Sequence, residues 1–507
     1  MGREDFEEGP DQKSGGVVMA DFDPAYYKNS PPNNRPQPES VWKKVGMIYP
    51  GGIRLPDLTD DYQDMIEELY GIWFTKLSRN MLKNRYYNGR NKLKDFGIST
   101  PPQLVNTVET VVGWPQKAVD ALAVRSRFDG FVAGDAVVQA DLDAVAKYSR
   151  LGVKYRQAAQ STLINSCAFA TVREAPDGRA RIDIYDAAHA AAVWDDAAGR
   201  VAYGMTIEDV DGNGFVRAFD LITSDVIIHA WSIGGGLYDW SYEEHSMGVA
   251  PMAAFVHKPT LTRPFGVSRI NRAVMSITDS AVRVALGGDI SFQFAVSPQK
   301  YLLNADKNPF EQTTKWEAYI GSIFAVGNDE NDRTPVFGQL TQASMQQTVE
   351  YTRLLAARFA SETNVPLAQL GVAADSNPSS AEAIYAASEP LIIEAEDFND
   401  TSRMALEDLA KMAVAIELGV PYTELPPEYQ DFSAAMRNPA MPSIVSQADA
   451  MVKIAAVVPG FAGTNTFFEQ LGFPEDIRRQ VRQEIQQAQS QELINAIFSG
   501  ANSGGAE

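Results

Sequence analysis

The first side chains that could do chemistry lie between positions 209 and 220. They match the oxygen-ligand spacing of a calcium loop, and they are Asp209, Asp211, Asn213 and Asp220. Such a loop joins two helices, whereas residues 203–207 and 215–219 alternate in the manner of strands. Arg217 also occupies a position that normally supplies a ligand or a water. Because Asp and Gly equally favour hairpin turns, we predict a turn here and no metal ion.

A second group could support acid–base chemistry. Glu243, Glu244 and His245 are consecutive and follow Trp240, and a hydrolase with an α+β core and a helical C-terminal domain would use such a cluster. The single cysteine, Cys167, stands among Ala and Phe residues, as a buried small residue would. It permits neither an intrachain disulfide nor a cysteine-based zinc site. No Gly-Lys dipeptide occurs, which excludes a P-loop, and we expect no cofactor.

The charge balance limits the partners of the protein. Its 507 residues include 44 Lys and Arg against 65 Asp and Glu, a formal net charge of -21. A monomer that binds nucleic acid or an anionic membrane tightly needs a basic face, so this class is disfavoured. Residues 258–300 are an exception, with six basic residues against two acidic ones. This stretch is either a solvated helix face or a face that meets acidic neighbours or a polyanion.

Neither a membrane span nor a signal peptide is evident. No uncharged apolar run reaches the length of about 18 residues that a spanning helix needs. The acidic first residues lack the basic and apolar regions of a secretion signal. We expect a protein that assembles in the cytosol and has no membrane partner.

The elements that would position these side chains form an α+β chain that is mainly helical. Residues 1–40 contain six prolines and few apolar side chains, so this N-terminal segment is either disordered or ordered on a neighbouring subunit. Apolar spacings of three and four predict helices from Asp60 to about Tyr87, after Pro102 with a kink or restart at Pro115, and from Leu142 to Ser166. Four strands then follow at 181–185, 189–194, 201–208 and 215–221.

Two striped helices, at 268–286 and 341–363, bracket a compact insertion. The insertion contains strand-like residues 301–303 and 323–326 and a short helix around Trp316. A longer stripe begins after Ser379 and ends at Gly419, with Pro390 expected to bend it. Shorter helices are predicted from 443 to 498, followed by a disordered tail at 499–507.

Several local strings of residues occur in an order that resembles one protein family. They are Tyr86-Tyr87-Asn88-Gly89 with Leu93, then Trp114-Pro115 with Val119-Asp120, Arg125 and Gly130-Phe131, then Gln299-Lys300-Tyr301-Leu302-Leu303, and finally Asn377-Pro378-Ser379-Ser380-Ala381-Glu382-Ala383-Ile384. None is a catalytic signature, and their specificity comes from co-occurrence over about residues 55 to 490. The chain resembles the portal proteins of tailed bacteriophages, in the SPP1-like group common in phages of actinobacteria.

The resemblance implies a portal fold made of several interleaved parts. These are the N-terminal segment (1–40), a wing (41–262), two stem helices (263–294 and 340–364), a small α/β clip (295–339), a tunnel loop with a long wing helix (365–419), a helical crown (420–498) and a tail (499–507). It also implies a cyclic ring, usually a dodecamer. Two departures from the family are Pro390, inside a helix that is expected to be uninterrupted, and the N-terminal segment, which matches no motif.

The resemblance further implies a structural protein rather than an enzyme. The ring would stand at one vertex of the virion capsid, assemble in the host cytoplasm, and pass double-stranded DNA during packaging, retention and ejection. Its implied partners are the terminase large subunit, the head–tail adaptor, and the major capsid and scaffolding proteins. Residues expected along the DNA channel are Asp375, Ser376, Asn377, Arg269, Arg272 and Arg283. Residues expected to dock partners at the clip are Lys307, Trp316, Asp329 and Glu330. A hydrolase and another capsid or scaffold protein are the alternatives.

Overall fold

The computed structural model describes residues 53–91, 110–296, 300–304, 333–339, 345–372, 381–440 and 444–487, apart from a few positions inside these ranges. The helices are α1 (Asp60–Tyr87), α2 (Trp114–Ala123), α3 (Ala136–Tyr148), α4 (Leu151–Asn165), α5 (Arg272–Val296), α6 (Gln346–Thr363), α7 (Ala381–Leu418), α8 (Ile444–Val457) and α9 (Asn465–Gln470). The strands are β1 (Phe128–Ala133), β2 (Cys167–Glu174), β3 (Ala180–Asp186), β4 (Ala190–Asp195), β5 (Arg200–Val210), β6 (Val216–Ile222), β7 (Val226–Gly234), β8 (Leu237–Glu244), β9 (Met252–Val256), β10 (Lys300–Leu303), β11 (Val336–Gln339) and β12 (Phe432–Met436).

These elements form a mixed α/β chain with two compact units, residues 1–439 and 440–507. The first unit contains a five-stranded antiparallel sheet in the order β4-β5-β6-β7-β8 and a three-stranded sheet in the order β3-β2-β9. β1 pairs with β12, and β10 pairs with β11. The described part of the second unit contains α8, α9 and a row of aromatic contacts from Phe461 through Phe467 and Phe468 to Phe473.

The helix α1 covers one face of the five-stranded sheet and has the bounds that its apolar spacing predicts. Its buried side chains include Leu69, Trp73 and Leu77, which share a core with the apolar residues of β5, β6 and β7. The indole nitrogen of Trp73 donates to the carbonyl of Ala188 over 2.7 Å, and this bond fixes the helix to the start of β4. Burial of its apolar face therefore stabilises α1 as a helix, and the hydrogen bond of Trp73 fixes where the helix lies on the sheet.

The predicted helix over residues 142–166 is wrong in one respect, because two helices occupy this region. α3 ends at Tyr148 and α4 begins at Leu151, and Arg150 between them has a left-handed backbone with φ of 50°. The apolar spacing continues across the break, so the sequence pattern does not reveal it. Pro115 lies in the first turn of α2 and starts that helix, where its missing N–H has no cost.

The strands predicted between residues 181 and 221 are confirmed, and each end differs from its predicted position by one or two residues. β5 and β6 pair around a tight turn, so the hairpin prediction for residues 209–216 is confirmed. β7 and β8 form a further hairpin around Gly234. Predicted strands did not include β7, β8, β9 or β12. The short strand β9 lacks an alternating pattern because it is mostly buried.

The helices α5 and α6 form an antiparallel pair. Asn271 at the start of α5 donates to Glu362 near the end of α6 over 2.7 Å. At the other end, a Cβ on Gly288 would lie only 3.1 Å from the Cγ2 atom of Thr348, so the two backbones approach closely there. The strands β10 and β11 continue this pair. Two helices that bracket a small insertion are therefore confirmed, although most of the insertion lies outside the described residues.

The long helix α7 runs from Ala381 to Leu418 and includes Pro390. Its predicted stripe is buried at Leu391, Ala395, Phe398, Ser402, Ala405, Leu409 and Met412. The helix ends at Gly419, whose φ of 67° gives the left-handed conformation that ends many helices. α7 contacts β2, β3 and β9 on one side and β12 further along, and it thereby joins the three-stranded sheet to the pair β1-β12.

Replacing Phe359 by Ala tests how strongly α6 depends on this core. The Phe359 ring is fully buried and lies 5.5 Å from the ring of Trp114 on α2. We expect the free energy of unfolding to fall by about 3–5 kcal/mol, because the substitution leaves a cavity. Urea denaturation followed by tryptophan fluorescence measures this change. Leu354→Ala, at a half-exposed position of the same helix, is the control and should cost less than about 1 kcal/mol. Equal losses would contradict the packing.

Candidate channel and docking surfaces

A buried cluster of charges lies where the paired helices α5 and α6 meet the rest of the first unit. Its centre is Glu394 on α7, whose side chain is 6% exposed. One carboxylate oxygen, Oε1, lies 2.5 Å from Nη1 of Arg269 and 2.7 Å from Nζ of Lys258. The other, Oε2, accepts a hydrogen bond from the side-chain amide of Asn364, which ends α6. A single carboxylate thus connects α7, the end of α6 and the segment before α5.

The other two guanidinium nitrogens of Arg269 donate hydrogen bonds to backbone carbonyls. Its Nε donates to the carbonyl of Ala118 in α2 over 2.5 Å, and its Nη2 donates to the carbonyl of Thr363 at the end of α6. Its side chain is 3% exposed. The expectation that Arg269 lines a channel is therefore corrected: its donors face buried acceptors of its own chain, and it fixes the base of the helix pair.

His257 completes this cluster. Its Nδ1 lies 2.7 Å from the carbonyl of Val267, and its Nε2 lies 3.5 Å from Oε1 of Glu394. Burial alone would raise the pKa of the Glu394 carboxyl, but His257, Arg269 and Lys258 outweigh that effect and lower it far below its usual range. Glu394 is consequently charged at neutral pH. Glu394 is not among the residues predicted from sequence, although its position three residues after the buried Leu391 on the same stripe is a usable signal.

A second polar contact ties α5 to α1. The hydroxyl of Tyr86 lies 2.9 Å from both carboxylate oxygens of Asp279, and the amide of Asn91 donates to the same carboxylate over 3.2 Å. Asp279 is 6% exposed. Burial and this carboxylate raise the pKa of Tyr86, so its hydroxyl stays a donor. The first half of α5 is therefore held on two sides by buried polar groups.

The other predicted channel residues of α5 have different surroundings. Arg272 is exposed at the first position of the helix, and Arg283 is half-buried and donates to the hydroxyl of Ser280 over 2.9 Å. On α6, the exposed face carries the apolar side chains of Val349, Tyr351 and Leu354. Asp375, Ser376 and Asn377 lie outside the described residues, as do Lys307, Trp316, Asp329 and Glu330. At the two ends of the insertion, Tyr301 and Phe337 are exposed.

The calcium-like residues are engaged in other ways. Asp211 accepts from the amide of Phe215 and closes the β5–β6 turn. Asp220, on β6, is buried between Arg173 at 2.5 Å and His229 at 2.9 Å. Burial opposes the charge of Asp220, but these two partners lower its pKa. Asn213 lies outside the described residues. Within the described ranges, no group of three His, Cys, Asp or Glu side chains could hold a metal ion.

The three residues proposed for acid–base chemistry line one depression but make no hydrogen bond with one another in the described structure. Glu243 and Glu244 are exposed on the edge strand β8, and as neighbours in a strand they point to opposite faces. Nδ1 of His245 accepts a bond from the amide of Met247 at 3.3 Å, and burial lowers its pKa. Cys167 is buried as expected, and burial raises its pKa to about 11, so its thiol is not a nucleophile. Among the described helices, none is both long and apolar enough for a bilayer.

Replacing Glu394 by Gln should destabilise the chain and change its response to acid. Because folding lowers the Glu394 pKa, the unfolded chain binds more protons as the pH falls below about 4.3, the ordinary value for Glu. The stabilisation is complete above that value and decreases toward lower pH. At pH 7, we expect Glu394→Gln to cost about 3–5 kcal/mol, because Arg269 loses its buried counter-charge.

Urea denaturation between about pH 3 and pH 7 measures both effects. The variant should show a flatter loss of stability toward acid than the parent chain. Glu396→Gln, two residues along the same helix but exposed, is the matched control and should follow the parent curve. If both variants had the same acid dependence, the buried cluster would not control this titration.

Known proteins similar to this chain share one name. The "Portal protein" of Mycobacterium phage D29 is 24% identical over 429 residues, which are 81% of this chain and 86% of that protein. The "Portal protein" of Mycobacterium phage L5 is 25% identical over 403 residues, 75% of this chain and 80% of that protein. No protein-family model matches.

Solved structures similar to the chain include chains from gene transfer agent particles. A chain from "Virion of native gene transfer agent (GTA) particle" has 13% identity and a TM-score of 0.39, over 74% of this chain and 95% of that chain. A chain from "Neck of native GTA particle computed with C12 symmetry" has 14% identity, a TM-score of 0.37 and the same coverage. TM-scores below 0.5 do not establish a shared fold.

The two phage relatives are named as portal proteins, and this favours a structural role over the hydrolase hypothesis. They match the chain over most of its length. The chain is thus similar to the portal proteins of two mycobacteriophages, as its sequence resemblance indicated.

Proposed function

We propose that the chain forms a closed ring at one vertex of a phage capsid and that double-stranded DNA passes through the ring. The observation that carries this proposal is the match to two portal proteins over 81% and 75% of the chain. The antiparallel pair α5–α6, fixed at its base by buried charges, supports it, because a channel wall needs elements that do not deform as DNA moves. A dodecamer remains the expected size.

The parts of the ring are proposed with the boundaries expected from sequence, with one change. We assign residues 41–262 to the wing, 263–294 and 340–364 to the stem, 295–339 to the clip, and 365–419 to the tunnel loop and long wing helix. The crown was expected from residue 420. Since β12 pairs with β1 and residues up to 439 belong to the first unit, we now propose that the crown begins at Ala440.

The negative net charge of the proposed ring favours a channel through which DNA slides over a site that binds DNA tightly. Twelve copies of a chain with a net charge of -21 would carry about -250 formal charges. Neutralising phosphates binds DNA strongly, and strong binding would oppose sliding. With Arg269 buried, Arg272 and Arg283 are the remaining basic channel candidates on the stem, joined by the loop residues Asp375, Ser376 and Asn377.

The surfaces available for partners agree with this arrangement. Val349, Tyr351 and Leu354 on α6 are exposed apolar side chains of the kind that a neighbouring subunit covers in a ring. At the clip, Tyr301 and Phe337 are exposed in the same way. We propose the clip, with Lys307, Trp316, Asp329 and Glu330, as the docking surface for the terminase large subunit and later for the head–tail adaptor. Major capsid and scaffolding proteins would contact the outside of the ring in the virion.

The mass and shape of the purified protein test the proposed ring. Twelve copies of the 55.5 kDa chain have a combined mass of about 670 kDa, which mass photometry resolves from a monomer. Negative-stain images should show rings with a central hole. A stable monomer or dimer at all concentrations would contradict the proposal. Open sheets or lattices would instead indicate another capsid or scaffold protein.

Accessible cysteines test the DNA channel in assembled rings. The native Cys167 is buried, so Arg272→Cys and Asn377→Cys each add one reactive thiol. We expect maleimide labelling of both to slow several-fold when duplex DNA fills the ring, because DNA shields the wall. Val137→Cys, on an exposed position of α3, is the control and should label equally with and without DNA. Protection at neither channel position would contradict the assignment.

A further inference from the structure

A basic cleft lies on the first unit, away from the helix pair α5–α6. It is a shallow depression of about 350 Å³ between β1, the α3–α4 junction and the end of β12. Four arginines line it, and they are Arg127, Arg150, Arg156 and Arg437. The only carboxylate among its lining residues is Asp129. In a chain with a net charge of -21, this local excess of positive charge is unusual.

Most of the cleft's positive charge is not neutralised. Asp129 is already paired with Arg437, through Nε at 3.0 Å and Nη2 at 2.6 Å. Arg127 and Arg156 each donate from Nε to a backbone carbonyl in the preceding turn, over 3.3 Å. Arg150 is exposed, and its guanidinium makes no hydrogen bond or ion pair with the described residues. Three guanidinium groups therefore keep donors that can face a ligand.

The geometry of the cleft favours carboxylates presented by a short segment. Planar guanidinium groups bind carboxylate and phosphate oxygens through paired hydrogen bonds. A DNA duplex carries a charge at about every 1.7 Å along its length, so most of its charges would lie beyond the cleft. A short acidic segment presents its charges only where the arginines are. Val153 adds an exposed apolar side chain to the lining, at 49% exposure.

The chain itself contains a segment with this chemistry. Residues 4–8 are Glu4-Asp5-Phe6-Glu7-Glu8, four carboxylates around one aromatic ring. Forty-four residues lie between Glu8 and Ile53, where the described structure begins. A chain of that length spans at most about 150 Å, so the segment can reach the cleft of its own or a neighbouring copy. Covalent attachment also raises its effective concentration there.

We propose that the arginine cleft is a binding site for an acidic peptide segment and that residues 4–8 of this chain occupy it. Glu4, Asp5, Glu7 and Glu8 pair with the guanidinium groups of Arg127, Arg150 and Arg156, and Phe6 packs on Val153. This gives the N-terminal segment a role that no motif in the sequence supplied. The inference does not depend on the ring or on DNA passage, so it stands or fails separately from the proposed function.

A peptide-binding experiment tests the site in the full-length chain. Glu4→Gln, Asp5→Asn, Glu7→Gln and Glu8→Gln are combined, so that the chain's own segment no longer competes. A fluorescein-labelled peptide of residues 2–11 is then titrated with this protein, and its anisotropy is measured at low salt. We expect saturable binding that weakens with salt. The parent chain should bind the peptide several-fold more weakly, because its own acidic segment occupies the cleft.

Two arginine variants locate the binding. Arg150→Asn with Arg156→Gln, in the neutralised chain, should weaken peptide binding about tenfold or more, since two charge-assisted contacts are lost. Both side chains are exposed, and Asn tolerates the left-handed backbone at position 150. Arg79→Gln, at an exposed arginine of α1, is the control and should leave binding unchanged.

Three results would overturn the proposal. The first is peptide binding that does not change in the double arginine variant. The second is equal binding to the parent and neutralised chains, which would show that residues 4–8 do not occupy the cleft. The third is displacement of the peptide by a 20-base-pair duplex at lower concentration than by unlabelled peptide, which would make the cleft a nucleic-acid site.

Discussion

The buried carboxylate of Glu394 is the interaction on which the arrangement of this chain depends most. A charged group removed from water is costly unless opposite charges and hydrogen bonds surround it. Here, Arg269 and Lys258 from the segment before α5 and Asn364 from the end of α6 supply them. If one of these groups were displaced, a buried charge would be left uncompensated. The cluster therefore favours one relative position of α7, the end of α6 and the start of α5.

This constraint explains how a long helix pair can be rigid with little surface to bury. Beyond its base, the pair is narrow: Phe292 on α5 and Leu354 on α6 are exposed, and the apolar contact is confined to one stripe of each helix. Stiffness must therefore come from the base, where Arg269 and the Tyr86–Asp279 contact connect α5 to α2, α6 and α1. For a proposed conduit, such anchoring matters more than affinity for DNA.

Basic residues that are close together in the sequence lie in different surroundings in the structure. Basic residues of the stretch 258–300 do not form one face, because Arg269 and Lys258 turn inward to Glu394 while Arg272 is exposed. The concentrated basic surface lies elsewhere, in the arginine cleft beside β1 and α4. Local charge in the sequence therefore did not indicate where positive charge gathers in space.

The sequence by itself determined the elements whose signal is periodic burial. The stripe of α7, the bounds of α1 and the hairpin at Asp211 follow from spacing and turn chemistry, and the strings of residues were sufficient for the family resemblance. Only the tertiary structure decided what depends on residues distant in sequence. The break at Arg150 interrupts an unbroken apolar pattern, β12 is a strand because β1 pairs with it, and Glu394 meets Arg269 across 125 positions. Local periodicity records which face of an element is buried, but it contains no information about which distant charge will meet it there.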